Sequence, residues 1–289
     1  MKLKDCKTKE DILKFFNNDD QAFRHTNYYH YTSLGKVNSI LESKQLWLNQ
    51  LSKSANDLVE RKNYEQFGDN VFSICFSTGT SESLPLWYLY SGIDGRGARI
   101  ELRKKVFKQL INESDVYLLE TQNHLPCCSV KLKTADYTIT CRDILYIGED
   151  SQKKNVYRLK HNGDALNNIS KIKYDFLKAN YSKFIKGLIW FYEKETRVQI
   201  EVNSELINPN KNYVVALNFE KIFDNISLCL APEFASLDSK LFDEYKGLQN
   251  WAFSRLKKSE YVGQLNMNLK GRLCQNCTEA KNVKLNEGH

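Results

Sequence analysis

The sequence predicts an α+β fold, because its strands and helices mix without the regular alternation of a doubly wound sheet. Two segments carry most of that prediction. Val71 to Ser77 sets Phe72, Ile74 and Phe76 against Ser73, Cys75 and Ser77, the period of two expected of a strand with one apolar and one small polar face. Phe176 to Trp190 repeats Leu177, Tyr181, Phe184 and Leu188 at helical spacing, with Lys178, Lys183 and Lys186 off that stripe. This helix runs directly into a strand pattern: Val198, Ile200 and Val202 share one face, and Glu193, Glu195, Arg197, Gln199 and Glu201 share the other if the extended backbone begins by Glu193.

The remaining elements follow in chain order. Residues 1–26 form a helical lead-in with Ile12, Leu13 and Phe16 as its apolar positions. Tyr28 to Thr32 is aromatic and β-branched, hence a strand. Thr32 or Ser33 then caps a helix with Leu34, Val37, Ile40 and Leu41 on one face, and Leu46 to Asn49 makes a short strand. Further strands are expected at Ala98 to Leu102, Asp143 to Gly148 and Tyr213 to Phe219, with a helix near Lys240 to Leu256. Gly92, Gly95 and Gly97 serve turns, since no strand-loop-helix unit surrounds them as a dinucleotide fingerprint requires. Trp87 and Trp190 read as core residues.

Only 4 Pro and 13 Gly, with no repeat or low-complexity block, indicate a single domain over 1–289. It divides into the lead-in, a core over 27–235 and a helical, basic extension over 236–289. The net charge of +7 gathers in the second half, with 14 Lys and Arg against 8 Asp and Glu from Lys131 to Arg197. Such an excess suits an anionic partner, RNA or DNA among them, or a solvated lysine-rich surface. No run approaches the roughly 18 apolar residues of a membrane span, and the start resembles no signal peptide, so a cytoplasmic protein without a membrane partner is expected. The eight cysteines are scattered, as reduced thiols are. Cys274 and Cys277 make half of a zinc knuckle, and with no second pair downstream no metal centre is expected.

Several short motifs follow one another along the chain: HYTSL at 30–34, NDLVE at 56–60, FSICFS at 72–77, LWYLYSG followed by GARIEL, and EKETR at 193–197. In this order they resemble the bacterial family known as domain of unknown function 2971, from about Tyr28 to Pro232. The succession of a His on an early strand, Ser-Thr after a middle strand and Glu-x-Glu on a late one also resembles the ADP-ribosyltransferase superfamily. That resemblance implies two small, mainly antiparallel sheets flanking a cleft, surrounded by helices, with NAD bound in the cleft as a substrate. It further implies a bacterial toxin or phage-defence effector, which would require an antitoxin or inhibitor protein.

The chemistry implied is cleavage of the bond between nicotinamide and ribose, which develops positive charge at the anomeric carbon. A fixed carboxylate beside that carbon stabilises the transition state, as in glycoside hydrolysis. Glu195 takes this role and Glu193 positions or deprotonates the attacking group. For the dinucleotide the resemblance offers His30, Tyr31, Thr32, Ser77, Thr78, Tyr88 and Arg99. Asn56, Asp57, Glu60, Tyr90 and Arg197 are further candidates for the cleft lining. Each has a plainer reading: a strand His is usually a hydrogen-bonded structural residue, Asn-Asp usually a turn, and Glu-Lys-Glu-Thr-Arg usually a solvated strand edge. Two other functions remain open on the same residues, a non-catalytic nucleic-acid-binding or interaction module and an NAD glycohydrolase.

Overall fold

The computed structural model describes residues 5–6, 8–16, 23–54, 60, 64, 68–79, 82–90, 97–123, 125–161, 166–231 and 251–253. Two sheets and several helices make an α+β fold, and most strand pairs are antiparallel. The larger sheet contains eleven strands and branches at its centre, β3 (Val71–Ser77). One edge of β3 carries β12 (Glu195–Val202) along its whole length, from Glu195 opposite Ser77 to Glu201 opposite Val71. The other edge is shared. β1 (Asn27–Ser33) meets it at Ser77 through Tyr29, and β2 (Gln45–Gln50) meets it at Ser73 and Phe72.

From β1 one branch continues through β4 (Gly97–Arg103) and β14 (Ser227–Leu230) to β15 (Trp251–Phe253). From β2 the other runs through β13 (Asn212–Asn218) and β5 (Asp115–Gln122) to β6 (Leu125–Lys131). β7 (Tyr137–Asp143) lies outside β12.

Strand alternation gives the centre of this sheet two unlike faces. The first is apolar. Phe76 meets Phe107 edge-on with centroids 5.0 Å apart, and Phe107 stacks on Tyr28 at 3.7 Å. Phe107 belongs to the helix Lys104–Glu113, whose Val106, Phe107, Leu110 and Ile111 form one buried stripe. Burying each such aromatic side chain contributes about 1.5–3 kcal/mol.

The second face carries Tyr29, Tyr31, Ser73, Cys75, Ser77, Glu195, Arg197, Gln199 and Arg99, all polar or partly so. The register makes these residues lateral neighbours. Tyr31 lies opposite Arg99, Cys75 opposite Arg197, and Ser77 opposite Glu195.

The smaller sheet joins β10 (Asn167–Ser170), β9 (Val156–His161), β8 (Leu145–Glu149) and β11 (Ile185–Gly187) in that order. Its own core sets Leu145, Leu159, Leu177 and Tyr181 against Phe15 and Phe16 of the lead-in helix Lys9–Phe16. The parallel pairing of β11 with β8 puts Lys186 beside Tyr146, and both reach the polar face of the larger sheet.

Several predicted elements differ from those observed. The strand at Val71 to Ser77 has its predicted bounds, and those at 28–32, 46–49 and 98–102 each extend by one residue at both ends. Ser33 precedes the predicted helix, Leu34–Ser43, but its side chain makes no capping hydrogen bond. The helix expected over 176–190 starts earlier, at Lys171, and ends at Tyr181. Beyond it the chain forms a 3-10 turn, β11 and the 3-10 stretch Leu188–Glu193, so Phe184, Leu188 and Lys186 take positions no continuous helix could give them. The helix expected near 240–256 falls mostly outside the described residues, and 251–253 within it is strand. Among the described residues no helix is long and apolar enough to cross a membrane.

Candidate functional site

Three carboxylates, two cations and three phenols converge between the two sheets. Lys186 Nζ is the hub, 2.6 Å from Glu193 Oε2, 2.8 Å from Glu195 Oε2 and 3.7 Å from Glu60 Oε2. Its contact with Glu193 has hydrogen-bond geometry, whereas its contact with Glu195 is an ion pair off the hydrogen-bonding direction. Arg197 spans the carboxylates from the other side. Its Nε donates to Glu195 Oε1 at 2.7 Å, one terminal nitrogen donates to Glu60 Oε1 at 2.7 Å, and the other donates to Tyr64 Oη and to the Lys183 carbonyl. Tyr64 in turn donates to Glu60. Tyr90 Oη donates to Glu193 Oε1 at 3.1 Å. Glu60, Lys186, Glu193, Glu195 and Arg197 are all nearly sealed from solvent.

The plainer reading of the Glu-x-Glu strand, a solvated edge, is therefore not what forms. Glu195, Arg197 and Gln199 are as buried as Val198 and Ile200 on the opposite face. Glu193 also arrives differently from the prediction. It ends the 3-10 stretch, Lys194 adopts a left-handed backbone at φ 44°, and the strand starts at Glu195. The left-handed residue interrupts the strand period, yet both carboxylates reach Lys186.

These surroundings drive the two carboxyls apart. For Glu195 burial favours the neutral acid, but Arg197 and Lys186 outweigh it and hold the carboxyl well below the usual range. For Glu193 burial dominates; Lys186 opposes it, the charge on Glu195 adds to it, and the pKa rises. Lys186 is held protonated against its own burial by Glu195, Glu193 and Glu60. The result is one permanent anion beside one carboxyl that accepts a proton readily, the pattern by which paired carboxylates divide acid-base from electrostatic work.

Cys75 lies beside this cluster, opposite Arg197 in register. Its side chain is solvent-exposed, with much protein packed nearby. That crowding, and then the charge of Glu195, push its thiol well above the ordinary value, so it stays protonated.

The other candidates divide by face. Tyr31 and Arg99 share the polar face, where Arg99 donates to Tyr31 Oη at 3.2 Å, lies 4.3 Å above the Tyr29 ring and pairs with Glu101. Tyr31 also accepts from the Ser83 amide. Ser77 sits opposite Glu195 in register, and Thr78 touches backbone, donating from N and Oγ1 to the Lys194 carbonyl at 3.0 and 2.8 Å. Tyr88 is half-buried against the main core.

His30 does not join the carboxylates. Alternation along β1 turns it and Thr32 to the face opposite Tyr29 and Tyr31, and the His30 ring lies 5.7 Å from that of Phe76. Where the sheet branches, His30 Nδ1 donates to the Cys75 carbonyl at 3.0 Å, standing in for a strand partner between the Tyr29 and Asn49 contacts. Burial lowers its pKa, the Cys75 hydrogen bond opposes that shift and Lys36 adds to it. No family model, curated protein or solved structure matches the chain.

Asn56, Asp57, Cys274 and Cys277 lie outside the described residues, and among those described no group of His, Cys, Asp or Glu has the arrangement of a metal site. Four members of the cluster were not expected from the sequence. Tyr64 follows Glu60 at one helical turn, Cys75 belongs to the polar side of a correctly predicted strand, and Tyr146 lies in a predicted strand. Lys186 lies off the apolar stripe of the predicted helix, but the helix ends at Tyr181 and the lysine is buried.

A fourth buried carboxylate, Asp143, stands outside this cluster. Asp143 accepts from Arg24 Nε at 2.9 Å, from His25 Nε2 at 2.8 Å and from Thr196 Oγ1. Burial would raise its pKa, but the His25 hydrogen bond and the charges of His25, Arg24 and His161 lower it. This network ties the chain leading into β1 to the start of β12 and fixes Thr196, the residue after Glu195.

Proposed function

We propose that the chain is an ADP-ribosyltransferase-type enzyme that cleaves the nicotinamide-ribose bond of NAD at the Glu193-Glu195 pair. The observation carrying this reading is the split of the two carboxyls around Lys186 on a polar sheet face that also carries the exposed Cys75. As the C–N bond breaks, its electron pair leaves with nicotinamide and positive charge grows on the anomeric carbon. Glu195, anionic throughout, stabilises that charge. Glu193, whose raised pKa makes it the stronger base of the pair, takes the proton of the attacking hydroxyl or water. Arg99, above Tyr29 and beside Tyr31, lies on the same face one branch away and suits the pyrophosphate. His30 has no part in this arrangement, which departs there from the superfamily pattern. The basic second half supports a nucleic-acid acceptor, RNA or DNA, and a toxin of this type would be held in check by an inhibitor protein.

One observation favours a second reading, a non-catalytic binding module: the carboxylates already pair with Lys186 and Arg197, as in a structural ion network. Incubation with radiolabelled NAD and mixed RNA, DNA and protein, beside Glu195→Gln, separates the two. Nicotinamide release by wild type and its loss in the variant support the enzyme, with labelled polymer indicating transfer and unlabelled release indicating hydrolysis. No release from wild type sinks the catalytic reading.

A further inference from the structure

The peptide between Lys194 and Glu195 is held at both ends by side chains from different sheets. Its carbonyl accepts two hydrogen bonds from Thr78, N at 3.0 Å and Oγ1 at 2.8 Å. Its N–H donates to Tyr146 Oη at 2.7 Å. Tyr146 is fully buried on β8 of the smaller sheet, while Thr78 directly follows β3 of the larger one.

This is also the peptide that follows the left-handed Lys194, a conformation a lysine rarely adopts and that persists only where its surroundings enforce it. Were this peptide to rotate, Glu195 would leave Lys186 and Arg197, because β12 starts at that residue and Glu193 precedes the turn. Neither side chain need touch a substrate for this effect.

We infer that Thr78 and Tyr146 are positioning residues that clamp the Lys194-Glu195 peptide and thereby hold the Glu195 carboxylate against Lys186 and Arg197. This rests on the catalytic reading only for its consequence in turnover; the clamp itself is a property of the resting protein. The sign of the effect follows from the charges. The Glu195 anion raises the proton affinity of Glu193, so a Glu195 free to swing away lets the Glu193 pKa fall.

The test is a carboxyl titration by carbon NMR on full-length protein labelled in its glutamate carboxyls, with the Glu193 signal assigned through Glu193→Gln. Thr78→Val removes the hydroxyl donor at nearly constant shape, and Thr78→Ser restores it. The expected result is a lower Glu193 midpoint in Thr78→Val and a wild-type midpoint in Thr78→Ser. Tyr146→Phe, which removes the phenol acceptor from the other side, is expected to shift Glu193 the same way and decides the matter if Thr78→Val does not fold. A Glu193 midpoint unchanged in every folded member of this pair overturns the clamp. Where nicotinamide release is measurable, Thr78→Val lowers kcat by roughly tenfold, a part of the general-base contribution, with KM unchanged. Shifted midpoints in a protein that releases no nicotinamide would leave the clamp in place and overturn the catalytic reading alone.

Discussion

Replacing Lys186 by Met tests whether the ion cluster is built as described. The substitution keeps the length of the side chain and deletes the charge that lies 2.6 Å from Glu193, 2.8 Å from Glu195 and 3.7 Å from Glu60. Arg197 then remains paired with Glu60 and Glu195, and the charge beside Glu193 is gone. Removing one partner of a buried pair costs about 3–5 kcal/mol, because the remaining charge stays desolvated. For a chain of 289 residues, with an unfolding entropy of about 2.1 cal/mol/K per residue, this corresponds to a fall in Tm of roughly 5–8 °C. The pH dependence identifies the cause. A carboxyl whose folded pKa is raised is destabilising only when ionised, so the deficit is full at pH 7.5 and shrinks as pH falls through the Glu193 pKa of the variant. Thermal unfolding by circular dichroism at pH 5.0 and 7.5, for wild type, Lys186→Met and the double variant Lys186→Met with Glu193→Gln, reads all of this. A Tm within 1 °C of wild type at pH 7.5, or a deficit of the same size at both pH values and in the double variant, would refute the reasoning.

Two further predictions concern the branch point and its neighbour. His30→Ala leaves the Cys75 carbonyl without the donor it has across the branch and should cost about 1–3 kcal/mol, measured by urea unfolding at pH 7.5. Because the folded His30 pKa is lowered, wild type loses stability as pH falls below the unfolded His value of about 6.5, and the variant should show a shallower loss there. Cys75, raised first by crowding and then by Glu195, should react with iodoacetamide at pH 8 more slowly than exposed Cys128, and Glu195→Gln should speed it, as followed by peptide mass spectrometry. Equal rates in wild type and variant would place Glu195 away from the thiol.

What the sequence disclosed and what it hid differ by the range of the interaction that decides each element. Val71 to Ser77 was legible because its alternation is a local property, fixed by which side of one strand meets the apolar core. The helix over 176–190 was not, because Leu177, Tyr181, Phe184 and Leu188 satisfy helical spacing although the first two pack in the core of the smaller sheet and Phe184 and Leu188 pack around Tyr146. Where a chain passes from one core to another, apolar periodicity continues across the boundary while the backbone does not. Lys186 shows the consequence. A lysine off the apolar stripe reads as solvated, and only β11 pairing with β8 turns it toward the carboxylates.

The same distinction explains why Glu193, Glu195, Glu60, Tyr90 and Arg197 could be picked out as candidates while Tyr64, Cys75, Tyr146 and Lys186 could not. Glu-x-Glu-x-Arg on a strand places like and unlike charges side by side, and two outcomes follow: solvent solvates them all, or the fold buries them together with enough opposite charge. Local pattern cannot choose between these, since Glu201 is on the same face of the same strand and is exposed. The choice is made by residues far away in sequence, Glu60 and Tyr64 on one side and Tyr146 and Lys186 on the other, which close over Glu195 and Arg197 but leave Glu201 to Lys183 at the surface. His30 shows the converse case. Its motif order suggested a partner for Glu195, but one residue of offset along β1 is enough to send a side chain to the other face. The neighbouring Tyr29 and Tyr31, at the correct parity, are β1 residues that share the polar face with Arg99 and Cys75.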